Sequence, residues 1–186
     1  NADGSPKAAG TLLKTPPLAA VLQRIAKEGP DAFYKGPVAQ EIVAKVQGHA
    51  NPGSLSLSDL ANYSAKERAP LCTDYKRWQV CGMPPPSSGG IAMAQILGTL
   101  QALETRDQRW ALAPMQPVKT GTTAGFEPTA EAVHLISEAE RLAYADRAQY
   151  VADSDFVPVP VKGLIDPAYL ASRAALIGEH SMGMAK

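Results

Sequence analysis

The sequence lacks an excess of either charge: 18 basic and 18 acidic side chains leave a formal net charge of zero over 186 residues. That removes the electrostatic case for a nucleic-acid partner or an anionic membrane surface. No apolar run reaches the roughly 18 residues a membrane span requires, so no span is expected. Histidine is scarce, at three residues. His134 and Glu138 stand four apart, as two metal ligands on one helix can, but no third ligand lies nearby. A structural polar pair is the better reading, and no metal or cofactor is expected. Familiar catalytic signatures are missing too. No Lys-Ser/Thr follows Ser87-Ser88-Gly89-Gly90, which excludes a phosphate loop. Gly-x-Ser-x-Gly is absent, and Ser64-Ala65-Lys66 lacks the Ser-x-x-Lys spacing. His49 and His180 have no serine or acid to pair with in sequence. Thr122-Thr123 are internal, so neither offers the free amine that serves an N-terminal threonine nucleophile as base.

The first residues, Asn1-Ala2-Asp3-Gly4-Ser5, lack the basic and apolar segments of a signal peptide. Asn1-Ala2 reads as the remnant of a cleaved tag, and residues 1–15 are expected to be a disordered lead. Cysteine is limited to Cys72 and Cys81, which flank eight residues. If Lys76-Arg77 is a two-residue hairpin turn, the two cysteines face each other across the ladder. Two readings stay open: a disulfide, which implies an oxidising compartment, and a pair of reduced thiols.

Proline (16) and glycine (15) are plentiful, and they mark the joints. The stretch around which the chain is organised is Met83-Pro84-Pro85-Pro86-Ser87-Ser88-Gly89-Gly90. Three prolines force an extended path, and two glycines permit a close backbone approach. A helix follows, with Met93, Ile96, Leu97, Leu100 and Leu103 on its apolar face. Ser87 and Ser88 are expected to cap its N-terminus. On residues alone, the stretch is either a structural elbow or a direct ligand contact through Ser87, Ser88, Gly89 and Gly90, and the elbow is favoured.

Elsewhere, Pro16-Pro17 and Gly29 bracket a helix with Leu18, Val21, Leu22 and Ile25 on one face. A second helix runs from Gly36-Pro37 to Gly48, after an aromatic plug at residues 31–35. Ser58 is expected to cap a short helix over residues 58–63. Residues 70–75 and 78–83 alternate as paired strands. Residues 105–127 carry so many breakers that an irregular loop is expected, mobile or laid over a surface. The longest helix spans about residues 129–152, with Ala132, Leu135, Ile136, Ala139, Leu142, Ala143 and Asp146 on one face. Glu138 and Arg141 are same-face neighbours of opposite charge. Asp146 and Arg147 are read as forming local ion pairs or holding a neighbouring carbonyl. Residues 156–161 read as extended. Asp166 caps a final helix running to Ile177, and residues 178–186 form a tail without structural signal.

These residues resemble the gamma-glutamyltranspeptidase (glutathione hydrolase) family. The resemblance rests on Asp31-Ala32-Phe33-Tyr34-Lys35-Gly36-Pro37-Val38-Ala39, on Leu57-Ser58-Asp59-Leu60-Ala61-Asn62-Tyr63 and above all on Met83 to Gly90. It continues through His134, Glu138-Ala139, Ala143-Tyr144-Ala145-Asp146-Arg147, Asp155-Phe156-Val157-Pro158-Val159-Pro160 and Asp166-Pro167-Ala168-Tyr169. The blocks stand in the family's order over roughly residues 16–177. Pro52-Gly53 departs from the usual Gly-Gly, and Ala152-Asp153-Ser154-Asp155-Phe156 from the usual Gly-Asp-Pro-Asp-Phe.

The resemblance implies a self-cleaving precursor with an αββα N-terminal-nucleophile hydrolase fold. This chain is similar to the C-terminal part of the large subunit: a mainly α lobe at 16–177 with a β-hairpin at 70–83. The nucleophilic threonine would belong to the small subunit, and the arginine gripping the substrate carboxylate to an earlier part of the large subunit. No catalytic residue is therefore carried onto this chain, which is expected to be inactive alone. Implied partners are the N-terminal part of the large subunit, the small subunit and a small gamma-glutamyl substrate. The implied location is periplasmic or secreted. Two rival readings are a beta-lactam (cephalosporin) acylase of the same family and a helical scaffold or binding module without chemistry.

Overall fold

In the computed structural model, the described residues are 3–112, 116–120 and 123–185, with the backbone alone described over 116–120 and 123–127. The chain forms two compact units, Asn1–Lys66 and Glu67–Lys186.

The first unit is helical: α1 (Pro16–Glu28), α2 (Asp31–Tyr34), α3 (Gly36–Gln47) and α4 (Leu57–Ala61). Prolines occupy the first turns of α1 and α3, where a missing N–H costs nothing. The aromatic plug forms as read: Phe33 meets Tyr34 edge-on, and Tyr34 stacks on Tyr63 with centroids 5.3 Å apart. The cap of α4 is Ser56, not Ser58. The Ser56 hydroxyl accepts from the Asp59 amide, and the Asp59 carboxylate accepts from the Ser56 amide, so the capping box begins two residues earlier. The apolar face read for α1 forms but is largely uncovered: Leu18 and Leu22 are 54% and 56% exposed.

The second unit begins with the hairpin β1 (Leu71–Tyr75) and β2 (Trp78–Gly82), in the register that pairs Cys72 with Cys81. Its turn has no Asn-Gly. Instead Lys76 adopts φ 54°, a left-handed conformation glycine or asparagine takes at less cost, while an ion pair to Glu104 at 3.0 Å fixes its ammonium. Cys72 and Cys81 are joined by a disulfide. Replacing both with serine is expected to cost about 2–3 kcal/mol by the loop-closure model. The check is denaturant unfolding of the variant beside the parent. Non-reducing mass analysis should find the parent two hydrogens lighter than its reduced form.

Three helices build the core of this unit: α5 (Gly89–Arg106), α6 (Ala130–Tyr150) and α8 (Pro167–Ala174). Leu100, Leu103, Trp110, Leu135, Ala139, Leu142, Ala174 and Ile177 form one buried cluster. Thr129 caps α6 by accepting from the Ala132 amide, and Asp166 caps α8 by accepting from the amides of Ala168 and Tyr169. α5 touches α6, α8, β1 and β2. Gly98 allows the approach of α8, because a Cβ there would collide with Leu170 Cδ1.

Three further expectations are corrected. The buried face of α5 is Ile91, Ala92, Ala94, Gln95, Thr99, Leu100 and Leu103, whereas Met93 is 48% exposed. Residues 105–127 are not structureless. They hold a 3-10 turn at Gln108–Trp110 and a second antiparallel hairpin, β3 (Gln116–Thr120) and β4 (Thr123–Glu127). Phe156 sits in a turn donating to the Asp153 carbonyl, and Val161 opens the short α7 (Val161–Leu164), so only residues 158–160 are without turn or helix. The 178–185 tail is packed: Met182 and Ala185 lie against the core cluster. Among the described residues, no helix is long and apolar enough to cross a membrane.

Candidate functional site

The elbow is where sequence places the strongest site signal, and its geometry is that of a joint. Gly90 is buried, and a Cβ there would run into the Met83 carbonyl oxygen. A Cβ on Gly82 would come within 2.8 Å of Gly90 Cα. The end of β2 thus folds directly onto the first turn of α5, a contact only glycine permits. Ser88 occupies the N-cap position but its side chain makes no cap, correcting the expectation from sequence. Its Oγ instead accepts from Arg147 Nε at 2.8 Å, tying the joint to α6. Ser87 Oγ accepts weakly, at 3.4 Å, from the Gly89 amide. The Arg147 guanidinium also lies over the Tyr144 ring, 5.7 Å from its centroid.

Asp146 does not bond locally, as the sequence suggested. It anchors a buried polar cluster between three helices. Its Oδ2 accepts from Gln95 Nε2 at 2.7 Å and from the Tyr169 hydroxyl at 2.9 Å. Its Oδ1 pairs with Arg173 at 3.1 Å, and both side chains are largely buried. Gln95 Nε2 also donates to the Leu164 carbonyl at 3.1 Å, and Arg173 to the Leu142 carbonyl at 3.3 Å. Burial, then the bond to Asp146, pushes the Tyr169 hydroxyl up to about 12, so it stays a donor at any ordinary pH. The cluster's one signal in the sequence is a carboxylate on the apolar stripe of α6. A charge there demands partners from facing helices.

His134 and Glu138 are brought onto one face of α6, where both meet the C-terminal segment. Among the described residues, no group of three or more His, Cys, Asp or Glu is arranged to hold one. His49 Nδ1 lies 3.1 Å from both the amide and the carbonyl of Asn51. His180 is exposed. Of Thr122-Thr123, Thr122 lies outside the described residues and Thr123 opens β4.

A groove of about 460 Å³ runs beside β1, α5 and α8, lined by Thr73, Asp74, Gly98, Arg106, Ile165 and Leu170. Arg106 turns to the carbonyls of Ala174 and Ile177, at 3.3 and 3.5 Å, closing the end of α8. Each polar cluster described above ties elements together.

The gamma-glutamyltranspeptidase family model matches residues 1–185. The glutathione hydrolase proenzyme of Escherichia coli is 41% identical over 172 residues, 92% of this chain and 26% of that protein. The acylase ACY 1 proenzyme of a Pseudomonas species (strain SE83) is 38% identical, over 94% of this chain and 28% of its own length. The chain spans about a quarter of the length of these curated relatives. Among solved structures, the gamma-glutamyltranspeptidase of Pseudomonas nitroreducens, complexed with L-DON, superposes with a TM-score of 0.66 at 37% identity. That match covers 91% of this chain and 45% of the other. The mainly α chain with its hairpin is thereby placed within the N-terminal-nucleophile hydrolase fold. The chain belongs to the gamma-glutamyltranspeptidase family.

Proposed function

We propose that this chain is the C-terminal part of the large subunit of an enzyme that cleaves gamma-glutamyl amides. That enzyme passes the acyl group to water or an amino acid through an N-terminal threonine of a separate small subunit. The observation that carries this reading is the family match over residues 1–185, together with 41% identity to a glutathione hydrolase proenzyme. Within that enzyme the lobe at residues 16–177 is a scaffold, the 178–186 tail its extension, and the elbow Ser87–Gly90 a rigid joint that makes no substrate contact. The side chains described above tie helices to one another, consistent with chemistry supplied by other parts of the protein. The uncovered face of α1 supports docking to the N-terminal part of the large subunit or to the small subunit. The Cys72–Cys81 disulfide supports a periplasmic or secreted location. A cephalosporin-type acylase is the second reading, favoured by the 38% identity to an acylase proenzyme.

The chain alone is expected to show no turnover of gamma-glutamyl-p-nitroanilide. A chimera in which it replaces the matched segment of the Escherichia coli proenzyme is expected to self-cleave and turn that substrate over. Activity that copurifies with the isolated chain would overturn the scaffold assignment. A chimera that cleaves only a cephalosporin side-chain amide would favour the acylase.

A further inference from the structure

The C-terminal segment, residues 178–185, is fastened to one stripe of α6. The His134 ring nitrogen Nε2 lies 2.8 Å from the Gly178 carbonyl, and because a carbonyl only accepts, Nε2 carries the proton. Arg141 donates to the Gly183 carbonyl. Between them sits Glu138, only 1% exposed. Its Oε1 accepts from the Ser181 hydroxyl at 3.0 Å, and its Oε2 from the Met182 amide at 2.8 Å. Arg141 Nε, three residues on, lies 3.1 Å from Oε1.

We propose that Glu138 is a positioning residue: an acid-released latch whose buried carboxylate docks residues 178–185 onto α6. Within α6 the charge pairs with Arg141. Among the described residues, each hydrogen bond that Glu138 makes beyond its own helix ends on that segment. The segment in turn presents two donors, which only the ionised carboxylate satisfies fully. The charges acting on Glu138 are Arg141 and His134, both from α6. The segment's own ionisable groups are used or exposed elsewhere: Glu179 lies 3.6 Å from Arg109, and His180 faces solvent. Adding a proton to Glu138 removes its pairing with Arg141 and weakens both acceptors at once. Met182, which packs against the core cluster beside the latch, is the side chain displaced.

The direction with pH follows. Burial alone would raise the Glu138 carboxyl. The Met182 amide, the Ser181 hydroxyl and the charges of Arg141 and His134 outweigh it and hold the group below its ordinary 4.5. A lowered carboxyl stabilises the docked form above that ordinary value and ceases to do so as pH falls through the lowered one. The inference stands whether or not the chain is a scaffold for gamma-glutamyl transfer.

The test is a pH titration of the full chain labelled at its methionine methyls, with the core followed through the Leu135 and Leu142 methyls. At neutral pH the Met182 methyl is expected at a packed, shifted position. Below pH 4.5 it is expected to move to the position of a free chain while the leucine signals hold. Ser181→Ala and Arg141→Gln each remove a partner of the charge and are expected to move the midpoint up by about half a unit or more. Glu138→Gln is expected to show Met182 displaced at every pH, with no acid transition. A Met182 transition that coincides with loss of the leucine signals overturns the latch. So does one that survives in Glu138→Gln. If Glu138→Gln fails to fold, an unmoved midpoint in both other variants overturns it equally.

Discussion

Replacing Asp146 with alanine is expected to destabilise the Glu67–Lys186 unit by about 3–5 kcal/mol, among the largest effects of any single change. The carboxylate receives Gln95, Tyr169 and Arg173 at 2.7, 2.9 and 3.1 Å, and these come from α5 and α8 onto α6. Deleting it takes the shared acceptor from all three: Tyr169 loses its bond, Gln95 and Arg173 keep the carbonyls of Leu164 and Leu142, and a largely buried cation deprived of its carboxylate is the costliest of the losses. The loss should show as a lower midpoint in urea unfolding. Tyr169 supplies a second readout. Its hydroxyl, raised to about 12 by burial and then by Asp146, is expected to titrate lower in the variant. A raised phenol contributes stability below its ordinary value of 10, and that contribution is lost as pH rises through 12. The parent should therefore lose stability in that alkaline window. If Asp146→Ala unfolds at the parent's midpoint, the cluster is not what holds the three helices in register.

Leu103→Ala is expected to cost about 2–5 kcal/mol, the range for emptying a leucine site that cannot collapse. Leu103 is fully buried within the cluster of Leu100, Trp110, Leu135 and Leu142. Whole domains are stable by about 5–15 kcal/mol, so a loss of this size is a large fraction of the total and should show as a clearly lower unfolding midpoint. Met93→Ala is the control. The two residues share the face that sequence periodicity assigns, yet Met93 is 48% exposed and its truncation is expected to change stability by less than about 0.5 kcal/mol. Equal losses from both substitutions would mean that α5 packs on a different face.

That contrast marks how far periodicity reaches. On α6 the predicted stripe and the buried one coincide at Ala132, Leu135, Ala139, Leu142, Ala143 and Asp146, because polar residues fill the opposite side. α5 is apolar around most of its circumference and is contacted by a hairpin and two helices, so no single stripe could be chosen from spacing. The breakers in residues 105–127 pointed to a loop. A two-stranded ribbon has unpaired edges, where a residue such as Pro117, which lacks an N–H, is tolerated, and β3 and β4 form there. Ser88 illustrates the same limit for capping. Its type and position suited a cap, but Arg147, 59 residues away, holds its hydroxyl.

By itself the sequence determined the existence of the principal helices and the family blocks from Asp31 to Tyr169, and it offered the Cys72–Cys81 register on the condition, met in the structure, that Lys76-Arg77 forms the turn. These depend on near neighbours: proline and glycine at helix ends, two-residue alternation across a turn, and motifs read in order. Only the tertiary structure decided where the buried charges go. Asp146 reaches α5 and α8, and Glu138 reaches a tail some forty residues on, because a desolvated carboxylate takes whatever donors the packing delivers. Those partners are set by three-dimensional proximity, which spacing along the chain does not encode.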